Sequence, residues 1–398
     1  MTAKLDDAQK QKILTPDVQK LLKALQDEAR VVGGAVRDVI LGRKIGDIDF
    51  ATTLPPEKTT EILNAAGFKT VPTGFAHGTI TAVLNGTGYE ITTLRRDLET
   101  DGRHAKVAFT DNWQQDAARR DFTMNALYVD AEGTLFDFFN GVEDAQAGRV
   151  RFIGDARARV QEDFLRILRF FRIYAHFGKG DMDSEGLAAC REFAALVQGL
   201  SIERVTNEFL KLLKADYPLT SLRLMKDCGV LNAFLPEATD LARLQALLET
   251  EKKFGCCQEP LVRFSALLPM RENTVMAVAK KFKLSNRDSA TLAVLATLPA
   301  LLNGNLAPAH IRALVYRHGA EACRAAIYLN GGRISEALTL LASWKIPVFP
   351  LKGDDVVRLG VSAGPKIGET LRAVEEWWIK GDFKADRGVC LKEASKHK

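Results

Sequence analysis

Residues 33–53 read GGAVRDVILGRKIGDIDFATT, and this stretch decides the fold of the first part of the chain. The three residues before it, RVV, are typical of a short strand that runs into the glycine pair, and AVRDVIL predicts a helix after that turn. The segment DIDFA then alternates polar and apolar residues, which predicts a second strand with Asp47 and Asp49 on the same face. The stretch is therefore a strand, turn, helix and strand in close succession.

The sequence on either side of this stretch divides into two kinds of structure. The patterns around Asn85-Gly86 and Glu132-Gly133 predict two hairpins, so the first 150 residues form a mixed, mostly antiparallel sheet with helices. Beyond Gly154, long amphipathic stretches such as ARARVQEDFLRILRFFRIYAHF predict helices almost exclusively. The fold class is therefore α+β. We predict four domains, at residues 1–153, 154–215, 216–330 and 331–398.

The composition excludes several classes of protein. The chain has 398 residues, of which 46% are hydrophobic and 26% charged, and no apolar run reaches the roughly 18 residues that a membrane span needs. Its 6 cysteines show no metal-ligand spacing, which argues against a zinc site and a disulfide scaffold. The first residues include Asp6 and Asp7 and lack an apolar leader, which argues against a secretory signal and a transit peptide. We expect a protein of the reducing cytoplasm, without a membrane partner.

The net charge of +5 is distributed unevenly. Residues 1–150 carry 18 Lys and Arg against 22 Asp and Glu, a net −4, and the remainder is +9. A basic segment beside an acidic one suits a protein that binds a polyanion with one part and holds metal-binding carboxylates in the other. Solvated helix faces of mixed sign would produce the same totals.

The glycine pair is a candidate phosphate site. Gly33 and Gly34 precede a helix that carries Arg37, and glycines allow backbone N–H groups at a helix start to approach an anion. A tight turn between strand and helix would use glycine for packing alone, so both interpretations stay open.

Two carboxylates at strand spacing form a candidate metal site. Asp47 and Asp49 are hard oxygen ligands that repel each other unless a cation lies between them. Glu90, in the predicted strand YEITTLR, is the candidate for a third carboxylate. The alternative for Glu90 is an ordinary exposed strand residue.

A pair of arginines precedes another apolar strand. Arg119 and Arg120 have guanidinium groups suited to bidentate contacts with triphosphate or ribose oxygens. The alternative is a structural ion pair with Asp121.

A charged stripe follows one side of the first long helical stretch. Asp163, Arg166, Arg169 and Arg172 recur every third residue among bulky apolar side chains. A solvated face is the usual explanation for such a stripe, but three arginines without a lysine favour planar, bidentate recognition.

These segments together resemble one known family. The sequences GGAVRDVILGRKIGDIDFATT, YEITTLRRD, RRDFTMNAL and EDFLRILRFFR, in this order and spacing, closely resemble the bacterial-type (class II) tRNA nucleotidyltransferase and poly(A) polymerase family. The resemblance covers roughly residues 15–215. It implies a catalytic nucleotidyltransferase head, a neck that recognises the incoming base, a helical body and a tail that binds tRNA.

The resemblance also implies roles for the candidate residues. Asp47 and Asp49 would hold two Mg²⁺ ions, and Gly34 and Arg37, with Arg119 or Arg120, would hold the triphosphate. CTP and ATP would be the substrates and tRNA the acceptor.

In the neck of this family, the protein itself acts as the template for the base. Asp163 would accept a hydrogen bond from the exocyclic amine of cytosine or adenine, and Arg166 would donate a hydrogen bond to the adjacent ring nitrogen. Uracil and guanine present the reverse pattern, which leaves polar groups unpaired.

Within this family several activities remain possible. TGFAHG at residues 73–78 stands where poly(A) polymerases usually carry G-R-[RK]-F, and the loop Asp97–His104 looks full-length, so complete CCA addition is favoured over A-only addition or poly(A) tailing. A non-catalytic RNA-binding relative is the more distant alternative. Phe164 replaces a proline that is frequent after the neck aspartate. The oligomeric state stays open.

Overall fold

The computed structural model describes residues 2–99, 106–255, 258–302, 307–330, 334–362 and 364–397. It divides the chain into two compact units, Met1–Pro236 and Glu237–Lys398. Much of the loop Asp97–His104 lies outside the described residues. Among the described residues, no helix has the length and apolar character needed to cross a membrane.

The strands belong to the first unit. They are β1 (Thr2–Lys4), β2 (Ala29–Val32), β3 (Asp49–Thr52), β4 (Lys69–Gly74), β5 (Thr79–Leu84), β6 (Thr87–Thr93), β7 (Arg95–Glu99), β8 (Lys106–Phe109), β9 (Leu127–Val129) and β10 (Thr134–Asp137). Eight of them form one sheet in the order β1-β10-β9-β2-β3-β6-β5-β4, and β7 pairs with β8. In the eight-stranded sheet only β3 and β6 run parallel, with Phe50 opposite Ile91. The predicted α+β fold with a mostly antiparallel sheet is confirmed.

The helices of the first unit surround this sheet and extend beyond it. They are α1 (Asp7–Ile13), α2 (Pro16–Leu25), α3 (Gly34–Ile40), α4 (Pro56–Ala65), α5 (Trp113–Ala118), α6 (Gly141–Ala147), α7 (Ala156–Glu162), α8 (Leu165–Phe177), α9 (Ser184–Glu192), α10 (Ile202–Leu213), α11 (Pro218–Asp227) and α12 (Val230–Phe234). The part after α6 is helical, as the amphipathic pattern predicts.

The described part of the second unit is helical. Its helices are α13 (Ala242–Phe254), α14 (Pro260–Leu267), α15 (Glu272–Lys281), α16 (Asn286–Leu302), α17 (Pro308–His318), α18 (Ala320–Asn330), α19 (Ile334–Ser343), α20 (Gly353–Arg358), α21 (Pro365–Lys380) and α22 (Arg387–Ala394). An ion pair between Arg263 and Glu251, 2.6 Å apart and almost completely buried, lies within this array.

The alternation of the strands separates two apolar cores. Val31, Phe50 and Ile91 pack with α1 to α4 in one core. Val32 and Ala51 point to the opposite face and pack with Tyr128 and other residues of a second core. Because Asp49 lies opposite Val32 in the β2–β3 pair, its side chain belongs to this second face. The turn at Asn85-Gly86 joins β5 to β6 as predicted.

Two local predictions are wrong. The strand predicted from Asp47 begins only at Asp49, so Asp47 lies in the loop before it. The single helix predicted through ARARVQEDFLRILRFFRIYAHF is two helices, because Asp163 has extended backbone angles (φ −156°, ψ 107°) between α7 and α8. Its side chain accepts a hydrogen bond from the backbone N–H of Leu165, at 3.0 Å, which satisfies a donor at the start of α8.

Candidate functional site

A cavity of about 870 Å³ in the first unit brings most of the predicted site residues together. Arginine is the residue type that lines it most often. Ten of the twelve predicted residues line the cavity, namely Gly33, Gly34, Arg37, Asp49, Arg119, Arg120, Asp163, Arg166, Arg169 and Arg172. Asp47 and Glu90 are not among its lining residues. The cavity has the size of a small-molecule site and a strongly cationic wall, which suits a polyanionic ligand.

The turn before α3 forms one wall of the cavity. Gly33 precedes the helix with φ of 80°, a conformation that favours glycine. Arg37 follows one turn later and is largely buried. It donates to Asn125 Oδ1 at 2.6 Å and to Asp38 Oδ1 at 3.0 Å, and its guanidinium lies 3.8 Å from the centre of the Phe177 ring. Burial lowers the pKa of Arg37, and the Asp38 carboxylate opposes that change. The guanidinium therefore has a fixed position at this wall.

The carboxylates lie where β3 and β6 run side by side. Asp49 and Glu90 each precede the paired residues Phe50 and Ile91 by one position, so they are neighbours on adjacent strands. Burial raises the pKa of Asp49, and the charges of Glu90 and Asp47 raise it further, against the opposing charge of Arg120. Glu90 and Asp47 are thus each close enough to repel the Asp49 carboxylate.

The carboxylates fit a divalent cation only in part. Across the described part of the chain, no three Asp, Glu, His or Cys side chains converge as a metal-binding group. Asp47 lies in the loop before β3, whereas Asp49 and Glu90 share a strand face, and the role of Glu90 as a third carboxylate stays a prediction. Asp47 and Asp49 remain as two hard oxygen donors, and a bound cation would relieve the repulsion at Asp49.

Asp116 holds both candidate phosphate-binding arginines. This carboxylate, on α5, is 1% exposed. Arg119 donates from Nε to Asp116 Oδ1 at 2.8 Å, and Arg120 donates from Nη2 to Oδ2 at 3.0 Å. The Tyr128 hydroxyl donates to the same Oδ2 at 2.8 Å. Burial alone would raise the Asp116 pKa, but the charges of Arg120 and Arg119 outweigh it and the pKa is lowered.

The alternative partner for these arginines, Asp121, is occupied by another residue. Asp121 lies 2.7 Å from Arg169 on α8, and the backbone N–H of Phe122 donates to it at 2.9 Å. The Arg169 charge lowers the Asp121 pKa against the effect of burial. The prediction of a local ion pair between the arginine pair and Asp121 is therefore wrong. Asp121 instead connects the sheet-bearing part of the unit to α8.

The break between α7 and α8 presents the predicted base-reading residues. Asp163 Oδ2 accepts from Arg204 at 2.6 Å. Arg166 pairs with Glu162 and donates to the backbone carbonyl of Arg159 at 2.9 Å. The two residues are thus held by different partners. Farther along α8, Arg172 Nε lies 3.1 Å from Glu208 of α10.

The sequence interpretation missed the residues that hold the predicted ones. Asp116 precedes Arg119 and Arg120 by three and four positions, and Glu162 precedes Arg166 by four, so helical spacing was a usable signal for both. Arg204 and Glu208 are distant in sequence and had no such signal.

Comparisons with known proteins agree with this arrangement. Residues 29–151 match the family described as "Poly A polymerase head domain", and residues 181–241 match "Probable RNA and SrmB- binding site of polymerase A". The chain is 35% identical over 408 residues to the Homo sapiens protein named "CCA tRNA nucleotidyltransferase 1, mitochondrial", a match that covers 98% of this chain and 92% of the relative.

A bacterial relative and a solved structure give the same result. The chain is 32% identical over 370 residues to the "CCA-adding enzyme" of Levilactobacillus brevis, covering 89% of this chain and 90% of the relative. The crystal structure of the Bacillus stearothermophilus CCA-adding enzyme in complex with CTP is similar with a TM-score of 0.72 and 26% identity, over 96% of this chain and 98% of that one.

Proposed function

This chain belongs to the class II CCA-adding enzymes, which add CMP and AMP to the 3′ end of tRNA, and we propose that the cavity of the first unit is the one site at which both nucleotides react. The observation that carries the proposal is the convergence, in one cavity, of Asp49, the arginines held by Asp116 and the pair Asp163 and Arg166. A carboxylate, phosphate-binding cations and base-reading groups are the three parts that nucleotidyl transfer requires.

Asp47 and Asp49 would hold Mg²⁺ in this proposal. A cation held by these two carboxylates would supply Lewis-acid activation of the attacking 3′-hydroxyl and would neutralise charge on the departing pyrophosphate. The like-charge repulsion that raises the Asp49 pKa supports the assignment. Glu90 adds to that repulsion from the neighbouring strand, and its catalytic role stays a prediction.

The triphosphate would lie between the Gly33-Gly34 turn and the arginine wall. Backbone N–H groups at the turn and the Arg37 guanidinium would bind phosphate oxygens from one side. Arg119 and Arg120 would bind phosphate oxygens from the other side. Each would keep its contact with Asp116 and use its remaining N–H groups for the ligand. Arginines fixed in this way lose little conformational freedom when the nucleotide binds.

The base would be recognised at the break between α7 and α8. Asp163 offers a carboxylate to an exocyclic amine, and Arg166 offers N–H donors to the neighbouring ring nitrogen. Cytosine and adenine share this donor-beside-acceptor edge, whereas uracil and guanine would leave the buried groups unpaired. Arg169 and Arg172 would contribute positive charge to the same wall.

The remaining assignments are proposals about the whole chain. The division into a head (1–153), neck (154–215), body (216–330) and tail (331–398) would put the chemistry in the head and neck and the tRNA contact in the tail. CTP in the related Bacillus structure supports the nucleotide substrate. The cytoplasmic location is also a proposal, since the human relative is named mitochondrial.

The test is a nucleotide addition assay on three tRNA transcripts, ending before CCA, after the first C and after CC. Each transcript is incubated with one labelled nucleotide and Mg²⁺, and the products are sequenced. We expect C on the first two transcripts and A on the third, with little U or G. Addition of A only, or of a long A tail, would instead identify the enzyme as an A-adding enzyme or a poly(A) polymerase.

A further inference from the structure

Arg159, on α7, joins two parts of the cavity that the proposed function treats separately. Its Nη1 lies 2.5 Å from Glu162 Oε2. Its Nη2 donates to the backbone carbonyls of Arg119, at 2.5 Å, and of Arg120, at 2.6 Å. The residue is 8% exposed. One guanidinium therefore contacts the segment that carries the phosphate-binding arginines and the carboxylate that holds Arg166.

The carbonyls that Arg159 binds lie directly after α5, which ends at Ala118. Carbonyls at the end of a helix lack intrahelical partners, and a cation there is favourable. Arg166 reaches the same site, since its Nη2 lies 3.4 Å from the carbonyl oxygen of Arg119. Arg166 also donates to the carbonyl of Arg159 itself, at 2.9 Å. Hydrogen bonds from Arg159 and Arg166 thus connect the end of α5 to the break after α7.

We propose that Arg159 is a positioning residue. Through it, binding of the triphosphate by Arg119 and Arg120 depends on the position of the base-reading segment. The proposal rests on the proposed function, because it takes Asp163 and Arg166 as base-reading groups and Arg119 and Arg120 as phosphate ligands. If a wrong base displaces Arg166 or Glu162, Arg159 transmits the displacement to the carbonyls of residues 119 and 120. The side chains of Arg119 and Arg120 are then no longer positioned to bind the phosphates.

Charge pairing alone would not require an arginine at position 159. Arg159 and Arg166 both pair with the carboxylate of Glu162, and both cations are largely buried. Apolar residues of similar volume are often as stabilising as buried charged groups. The planar guanidinium group of arginine, in contrast, can bind the Glu162 carboxylate and the carbonyls of residues 119 and 120 at the same time. A lysine ammonium cannot do so in the same geometry.

The primary test variant is Arg159→Lys, which keeps the charge and most of the aliphatic stem. Arg157 provides the control, because it lies on the same helix, is 65% exposed at its side chain and forms an ion pair with Glu192. We measure kcat/KM for all four nucleotides on one tRNA, dissociation constants for CTP and UTP by calorimetry, and the melting temperature. The dissociation constants provide a measure of selectivity that does not depend on turnover.

We expect Arg159→Lys to lower the preference for CTP over UTP by about tenfold or more, since small misplacements at a reacting centre can cost up to about a hundredfold. Arg157→Ala should leave the preference unchanged. A folded Arg159→Lys protein whose preference stays within about twofold of the wild type would overturn the proposal, as would an equal loss with all four nucleotides.

Glu162→Gln tests the same connection from its other end and covers the case in which Arg159→Lys folds poorly. We expect a loss of selectivity, and the additional loss caused by Arg159→Lys in the Glu162→Gln background should be smaller than in the wild type. Full additivity would contradict an action through Glu162. A wild-type protein that adds no CMP or AMP would refute the proposed function itself, which is a different outcome.

Discussion

Replacing Asp116 by asparagine tests whether one buried carboxylate organises the phosphate-binding wall. The substitution keeps the size of the side chain and removes its charge, so Arg119 and Arg120 lose their shared counterion. Removing one partner of a buried ion pair typically costs about 3–5 kcal/mol. The two guanidinium groups are 16% and 20% exposed, so water compensates in part, and we expect about 3 kcal/mol.

This loss of stability should be measurable as a shift in melting temperature of roughly 6–12 °C for a unit of this size. The kinetic effect should be a fall in kcat/KM of about tenfold to a hundredfold for CTP and ATP alike, because both triphosphates use the same arginines. Asp111→Asn is the matched control, since Asp111 is exposed and precedes α5. An unchanged melting temperature, or a loss confined to one nucleotide, would refute the reasoning.

The same substitution has a defined pH dependence. The Asp116 pKa is lowered in the folded protein relative to its ordinary value of 3.8. The carboxylate therefore stabilises the fold above that value, and this contribution disappears as the pH falls through the folded-state pKa. Urea denaturation at several pH values should show a constant difference between the wild type and Asp116→Asn near neutrality, and a shrinking difference below about pH 3.8. A difference that does not change in acid would contradict this account.

Three further variants test the metal ligands, the base-reading residue and the proposed tRNA contact of the tail. Asp49→Ala should abolish incorporation of CTP and ATP together while tRNA affinity, measured by filter binding, changes little; near-normal turnover with either nucleotide would contradict a shared metal site. Arg166→Ala should lower CTP and ATP use relative to UTP and GTP, by about tenfold to a hundredfold for hydrogen bonds of roughly 1.5–3 kcal/mol, and unchanged kcat/KM ratios would exclude base reading by this residue. Lys380→Glu with Lys384→Glu should weaken tRNA binding and flatten the dependence of log K on log salt, whereas an unchanged slope would move the RNA contact away from the tail.

The fold of the first unit could be predicted because its sequence patterns are local. The strand before Gly33, the helix after it and both hairpins follow from alternation and turn residues within short segments. The break at Asp163 was missed because the apolar periodicity continues across it. There, the Asp163 carboxylate accepts hydrogen bonds from the backbone N–H of Leu165 and from Arg204, local contacts that a continuous helix would not provide.

Candidate site residues could be chosen from the sequence, but their contacts could not be predicted from it. Residue type identified the carboxylates and the arginines, because their chemistry is specific. Their partners depend on which elements pack together. Asp121 pairs with Arg169, which is distant in sequence, and not with Arg120 directly before it. This pairing follows from the tertiary structure and has no signal in the sequence.

The single parallel pair in the sheet has a consequence for the order of folding. Residues 53–86 lie between β3 and β6, and they contain α4, β4 and β5. Because the loop that the β2–β3 pair closes is shorter, we expect that pair to form before the β3–β6 pair, which is the step that brings Asp49 and Glu90 together. The electrostatic repulsion between these two carboxylates is then a cost of forming the β3–β6 pair and not of the β2–β3 contact.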